Sequence, residues 1–230
     1  MSGFFHKYNQ LLKAHPFKTN MVGTSLFFST GDIIAQLSFP PRSHDIKNQD
    51  LSESVKSRSG FDYKRTLRGA VYGAFVFAPC AVTWYGRRLP KIKNPFIRKH
   101  RDTWSQKKLH VYDTLFRVTL DQLFVPGFIW IPMYVTSMSI LSLNEHPLDV
   151  ARENLRNNWW HVLKANWIVW PAFQLVNMYL IPVHIRVVCA NLWSVGWNCF
   201  ISYVGNSRRV SNKVLEEVTT VEDPESVAYV

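Results

Sequence analysis

Asp113, Arg117 and Asp121 recur at intervals of four at the edge of a run that is uncharged from Leu123 to Leu143. A helix places all three on one face. Arg117 and Asp121 therefore read as an ion pair beside apolar sequence. Asn166, Trp170, Gln174 and Asn177 follow i, i+4, i+8, i+11, a polar stripe on an otherwise apolar segment. Asn191 and Asn198 repeat the pattern seven residues apart, and Asp32 precedes Gln36 by one turn. Gln122 and Arg186 complete the polar residues lodged in or beside apolar blocks. Such groups have two uses. Joined between helices, each hydrogen bond is worth about 0.6–2 kcal/mol. Facing an internal pathway, they carry water and solute, the default expectation for ionisable groups at membrane depth.

Enzyme chemistry finds no foothold. The chain lacks H-E-x-x-H, C-x-x-C, G-x-S-x-G and the phosphate-cradling Walker loop. Its eight His are scattered, and His15-Pro16 and His146-Pro147 read as boundary dipeptides. The expectation is a protein with no catalytic residues, no metal and no cofactor. Cys189 and Cys199 are ten apart, about 15 Å along one helix, too far for a mutual disulfide. They read as buried, inert thiols.

The elements that must hold these residues are long apolar blocks. Thr19–Leu37 carries one charge, Gly69–Gly86 none, Val118–Leu143 only Asp121, and Ala165–Val183 and Val187–Val204 none. A membrane crossing needs about 20 mostly apolar residues. The fold class is thus all-α, a polytopic transmembrane bundle of four or five helices. The ambiguity lies in the last two blocks, which only His184 and Arg186 separate. Pro79, Pro126, Pro132 and Pro171 fall inside blocks and predict kinked helices, which neighbours in a bundle can tolerate. Gly69 and Gly73 have the spacing of a close helix contact. Trp84-Tyr85 and Trp159-Trp160 stand at block ends, where headgroups favour them.

Charge lies between the blocks. There are 27 Lys and Arg against 16 Asp and Glu, a net charge of +11, yet only 19% of residues are charged and 47% are hydrophobic. This excludes a disordered chain, and the basic residues form no nucleic-acid module. Residues 1–205 read as one helical membrane domain containing a flexible loop over 38–60. Residues 206–230 read as a polar, flexible tail. No acidic residue precedes Asp32, and Phe4, Phe5, Tyr8, Leu11 and Leu12 follow helical spacing. That suits a mitochondrial targeting helix or an uncleaved interfacial one. With four spans, the two tails and the second loop share a side and carry 15 basic residues against 8 opposite, placing both termini in the matrix by the positive-inside rule. A fifth span sends the C-terminus across.

Several motifs resemble one family. His15-Pro16, Thr19, Gly31-Asp32 and Ala35-Gln36 are similar to the opening motif of the peroxisomal-membrane-protein and Mpv-seventeen family. Asp62-Tyr63-Lys64-Arg65-Thr66 with Arg68, Gly73 and Trp84-Tyr85 resembles its second motif, and Asp121-Gln122 with Pro126 its third. The fourth is the most specific: Asn166-Trp167, Trp170-Pro171, Gln174, Asn177, Pro182, Arg186, Asn191, Trp197-Asn198 and Ser202-Tyr203. The chain departs at Ala78-Pro79 and Val82, where the family often has Gly-Pro and a His, and at Met178, where it usually has Phe.

The resemblance covers residues 4–205 and is strongest to fungal, stress-inducible members of the mitochondrial inner membrane. A peroxisomal membrane is the alternative. It implies channel-like permeation of small metabolites, support of metabolite homeostasis and, indirectly, of mitochondrial DNA. The implied partners are the lipid bilayer, small anionic metabolites, and further copies of the chain or a larger membrane complex, with no direct nucleic acid. A non-transporting scaffold or assembly factor is the rival.

Overall fold

A computed structural model describes residues 2–38, 61–143, 145–197 and 199, which form helices and short connections with no strand. The expected loop over 38–60, beyond Ser38, and the tail over 206–230 lie outside the described residues, as does Asn198.

Helix α1 is Ser2–Ala14 and α2 is Pro16–Ser38. The break falls at His15-Pro16 because Pro is preorganised for a first helical turn but cannot continue one. Helix α3, Tyr63–Lys91, opens on Asp62, whose side chain accepts from the Arg65 N–H at 3.0 Å. Helix α4, Gln106–Leu141, is capped by Ser105, and α5, Pro147–Leu180, starts at the second His-Pro boundary. A 3₁₀ turn at Val183–Ile185 leads into α6, which is described over 186–197.

The internal prolines do not break these helices. Around Pro79 the backbone widens into π-helical turns at Gly73–Phe77 and Val82–Arg88, and a third follows from Pro126 to Trp130. The Ala78 N–H bonds back five residues to Gly73, and the Ile131 N–H to Pro126. The wider turns flank the prolines, where the regular ladder is interrupted, and the Gln122 carbonyl, which Pro126 cannot serve, accepts from Trp167 Nε1.

Alternate helices run in opposite directions. Trp159 Nε1 donates to the Gly127 carbonyl at 2.8 Å and Trp167 Nε1 to the Gln122 carbonyl at 2.7 Å, while His110 meets the Tyr179 carbonyl. These contacts fix α4 and α5 antiparallel along their whole length. The apolar half of α4 therefore lies beside the charged half of α5, and the apolar half of α5 beside Asp113, Arg117 and Asp121. Trp170 against Trp197 and Phe173 against Trp193 lay α6 back along α5. Asn191 Nδ2 donates to Thr24 Oγ1 at 2.7 Å, joining α6 to α2.

Among the described residues, only α3 and α4 are long and apolar enough to cross a membrane by composition. In α2 and α5 mean hydropathy is pulled down by polar side chains that turn inward. Asp121 is fully buried and Gln174, Asn177 and Asn191 nearly so, while Val22, Leu26, Phe75, Phe128, Ile168 and Leu180 are exposed. Polar inside and apolar outside is the arrangement a lipid solvent imposes. Of the two glycines, Gly73 makes the close contact. A Cβ there would lie 3.2 Å from the Thr24 carbonyl oxygen and Phe28, whereas Gly69 faces open space.

Candidate functional site

At one end of the bundle α2, α3 and α4 are tied by a compact polar cluster. Asp32 pairs with Arg65 at 2.7 Å and accepts from Thr66 Oγ1 at 2.6 Å and Gln36 Nε2 at 2.7 Å. Gln36 Oε1 in turn accepts the Asp62 N–H at 2.7 Å. Arg68 bridges to Ser142 Oγ at 2.8 Å, at the far end of α4. Asp32 and Gln36 thus belong to a joint between helices. Their partners 26 to 34 residues away are visible in the sequence only as a nearby charged run.

The middle is built on Asp121. Its carboxylate accepts from Trp84 Nε1 at 2.7 Å, from Gln122 Nε2 at 2.7 Å and, at 3.5 Å, from the Tyr85 hydroxyl. Trp130 Nε1 donates to Tyr85 Oη at 3.3 Å, and Gln174 also approaches this hydroxyl. Trp84 and Tyr85 are therefore internal donors, not headgroup anchors as their place at a block end suggests. The ion pair expected between Arg117 and Asp121 does not form. Arg117 turns off the face and gives its Nε to the Ile92 carbonyl at 2.7 Å, closing the end of α3. Spacing of four residues sets a shared face; it does not choose between a helical neighbour and a better-placed acceptor on another segment.

The stripe on α5 enters the same interior. Gln174 and Asn177 are each only 1% exposed, and Asn177 Nδ2 donates to Gln174 Oε1 at 3.2 Å and to the Arg186 carbonyl at 3.4 Å. Satisfaction is incomplete. Gln122 Oε1, Asn166 Oδ1, Trp170 Nε1, Asn177 Oδ1 and Asn191 Oδ1 are buried without a hydrogen-bond partner among the described residues, as are Asn20 Oδ1 and Thr114 Oγ1. Buried polar atoms left unpaired cost about 1–3 kcal/mol each, so each of these calls for a partner such as an internal water. Among the described residues no group of three His, Cys, Asp or Glu could hold a metal ion.

The other end is basic. Residues 7–18, 87–117 and 186 put fourteen Lys and Arg there against two Asp, while 32, 62–68 and 145–156 hold five of each sign. Of the two acids, Asp113 is gripped by Arg101, whose Nη2 lies 2.8 Å from Oδ1 and Nη1 3.2 Å from Oδ2, and by the Asn94 N–H at 2.7 Å. Arg186 spends its Nε on the Ile181 carbonyl and its Nη2 on that of Met178. Cys189 and Cys199 are half-buried, not sealed in the core, and Cys80 is exposed on the outer surface.

A chain of this composition and architecture has relatives over its full length. It is 40% identical to "Protein SYM1" of Debaryomyces hansenii across 98% of both chains. The chain belongs to the Mpv17/PMP22 family. The family model itself matches residues 141–202, the segment from the end of α4 through α6. "Protein SYM1" of Candida albicans is 38% identical over 91% of this chain and the whole of its own. That of Saccharomyces cerevisiae is 33% identical over 91% of this chain and 93% of its own. No solved structure matches. The inward stripe of α5 and Arg186 thus fall within the matched segment, whereas Asp32 and Asp121 do not.

Proposed function

We propose that this Mpv17/PMP22 protein is a multi-pass, channel-like protein of the mitochondrial inner membrane, permeable to small anionic metabolites. The observation that carries the reading is the inward row of polar atoms on α2, α4, α5 and α6, left without partners among the described residues inside a bundle whose outside is apolar. A protein needing only adhesion between helices would pair those groups or replace them, since an unmade buried bond is a net loss. Charge at the basic end favours anions, which a positive mouth concentrates. The family resemblance and α1, which is basic and free of acids, support the mitochondrial inner membrane. In that setting the activity serves metabolite homeostasis, stress tolerance and, through metabolite supply, mitochondrial DNA.

The path of α6 favours five crossings over four. Its described part leaves the basic end and runs alongside α2 and back along α5, the direction a fifth crossing takes. The positive-inside rule places the basic end, with α1, in the matrix.

Reconstitution into a planar bilayer tests the channel. Discrete conductance with anion-over-cation selectivity is the expected result. Silence from protein shown to be folded refutes it and leaves a scaffold, a role the fully bonded Asp121 cluster would also serve.

A further inference from the structure

We propose that Arg117 and Arg186 form a binding site for an oxyanion, the phosphate or carboxylate group of a soluble ligand or of a lipid headgroup. Arg186 is only 6% exposed, yet no carboxylate among the described residues pairs with it. The ion pairs there are Arg65–Asp32, Arg68–Asp62 and Arg101–Asp113. Arg117 holds the Ile92 carbonyl and Arg186 that of Met178, and Ile92, Met178, Val118 and Val187 pack in one core cluster, which brings the two cations together. The acid nearest Arg117 is Asp113, and its two oxygens are already taken by the Arg101 fork and the Asn94 N–H.

Capping does not settle this charge. The two carbonyls that Arg186 holds belong to the end of α5, whose dipole amounts to about half a negative charge. Half a charge does not balance a buried full one with a second cation beside it. Removing a guanidinium from water is offset only by a close counter-charge, and no carboxylate among the described residues gives Arg186 one. The fold leaves donors free instead. Arg186 Nη1 and both Nη groups of Arg117 make no hydrogen bond with the described residues; the bonds they do make use Nε of each and Nη2 of Arg186. Fixed Nε atoms with free Nη atoms are the posture in which guanidinium groups grip oxyanions.

The site lies where α3, α4, α5 and α6 converge at the basic end, so the surrounding potential draws the same class of ligand. Its service as an entry point rests on the channel reading. Its existence does not.

The test uses the full-length protein in nanodiscs of phosphatidylcholine, with pyrophosphate as probe at constant ionic strength and thermal unfolding as readout. Wild type is expected to show saturable stabilisation. Arg117→Gln, which keeps an amide donor for the Ile92 carbonyl, should weaken it at least about tenfold. Arg117→Lys should fall between, and Arg98→Gln, the same charge change at an exposed site, should leave it unaltered. Discs containing phosphatidylglycerol separate the sources. If that lipid alone stabilises wild type but not Arg117→Gln, and pyrophosphate then adds nothing, the ligand is a headgroup; if pyrophosphate still binds, it is soluble. The proposal is overturned if neither probe stabilises saturably, or if Arg98→Gln and Arg117→Gln lose binding equally. Binding without conductance upholds the site and refutes the channel. Conductance without binding does the reverse.

Discussion

Replacing Asp121 separates hydrogen bonding from ion pairing. Truncation to Ala strips the acceptor from Trp84 Nε1 and Gln122 Nε2, both bonded at 2.7 Å inside a fully buried cluster. Each stranded donor costs about 1–3 kcal/mol, so Asp121→Ala should destabilise by about 2–6 kcal/mol. Asp121→Asn should behave differently. Its remaining carbonyl still accepts from Trp84, and Gln122 can rotate its amide so that Oε1, otherwise without a partner, takes the new N–H. The expected loss is below about 1 kcal/mol, because the rotation exchanges one unpaired buried atom, Gln122 Oε1, for another, Gln122 Nε2. Arg117→Ala combined with Asp121→Ala should be additive within about 0.5 kcal/mol, as for sites that share no partner. Trp84→Phe with Asp121→Ala should be strongly non-additive. Tryptophan-monitored thermal unfolding in detergent, backed by steady-state levels in membranes, measures all of these. If Asp121→Asn is as damaging as Asp121→Ala, charge is what matters there and the neutral-donor account fails. Recovery of stability in the Arg117/Asp121 double mutant would restore the ion pair.

Four further outcomes are expected. Gly73→Val should force α2 from α3 and lower the melting temperature sharply, whereas Gly69→Ala, placed in open space, should gain up to about 1 kcal/mol. Arg101→Ala should loosen the connection between α3 and α4, seen as faster hydrogen exchange at 94–113, with Arg101→Lys recovering only part because one ammonium cannot replace the fork. His184 meets Asn9 Oδ1 at 2.7 Å, and burial, with Lys13 nearby, holds its imidazole below the ordinary value. Its contribution to docking α1 is complete above about pH 6.5 and declines as pH falls through the lowered value, so protease should cut α1 faster at pH 5.5 than at 7.5 and His184→Gln should flatten the difference. In a background without Cys80, Cys189 and Cys199, single Cys at 166, 170, 174 and 177 should react with a hydrophilic thiol reagent and those at 168 and 172 only slowly; uniform slowness would refute a wet interior along α5.

Composition and block spacing disclose most of the architecture. Two His-Pro dipeptides mark helix starts because proline's fixed φ and missing N–H act locally, within a residue or two. The inward stripe of α5 is equally legible, since 3.6-residue periodicity is a property of one helix. Partners were harder to read. Nothing near Asp121 in the sequence announces Trp84, 37 residues away, and two tryptophans at block ends look alike although Trp84 points in and Trp160 is exposed. Gly69 and Gly73 are likewise equivalent by spacing, and only the approach of α2 tells them apart. Arg186 is readable as polar beside apolar sequence; that no carboxylate among the described residues pairs with it is not, because pairing is a fact about three-dimensional neighbours.

The antiparallel register of α4 and α5 has a consequence for the bilayer. At 36 and 34 residues, these helices measure about 54 and 51 Å, against a hydrocarbon core of about 30 Å. The middle of the uncharged run in α4 lies opposite the region of Asn158, and that of α5 opposite Leu115. The two greasy zones are therefore staggered by roughly 24 Å along the axis. No flat slab fits both. Lipid on the α4 side is drawn toward one leaflet and lipid on the α5 side toward the other, thinning and tilting the membrane locally. Such a protein imposes curvature strain on its surroundings. Its thermal stability in bilayers should therefore respond to acyl-chain length, and copies placed side by side share one deformation at less cost than each sustaining its own.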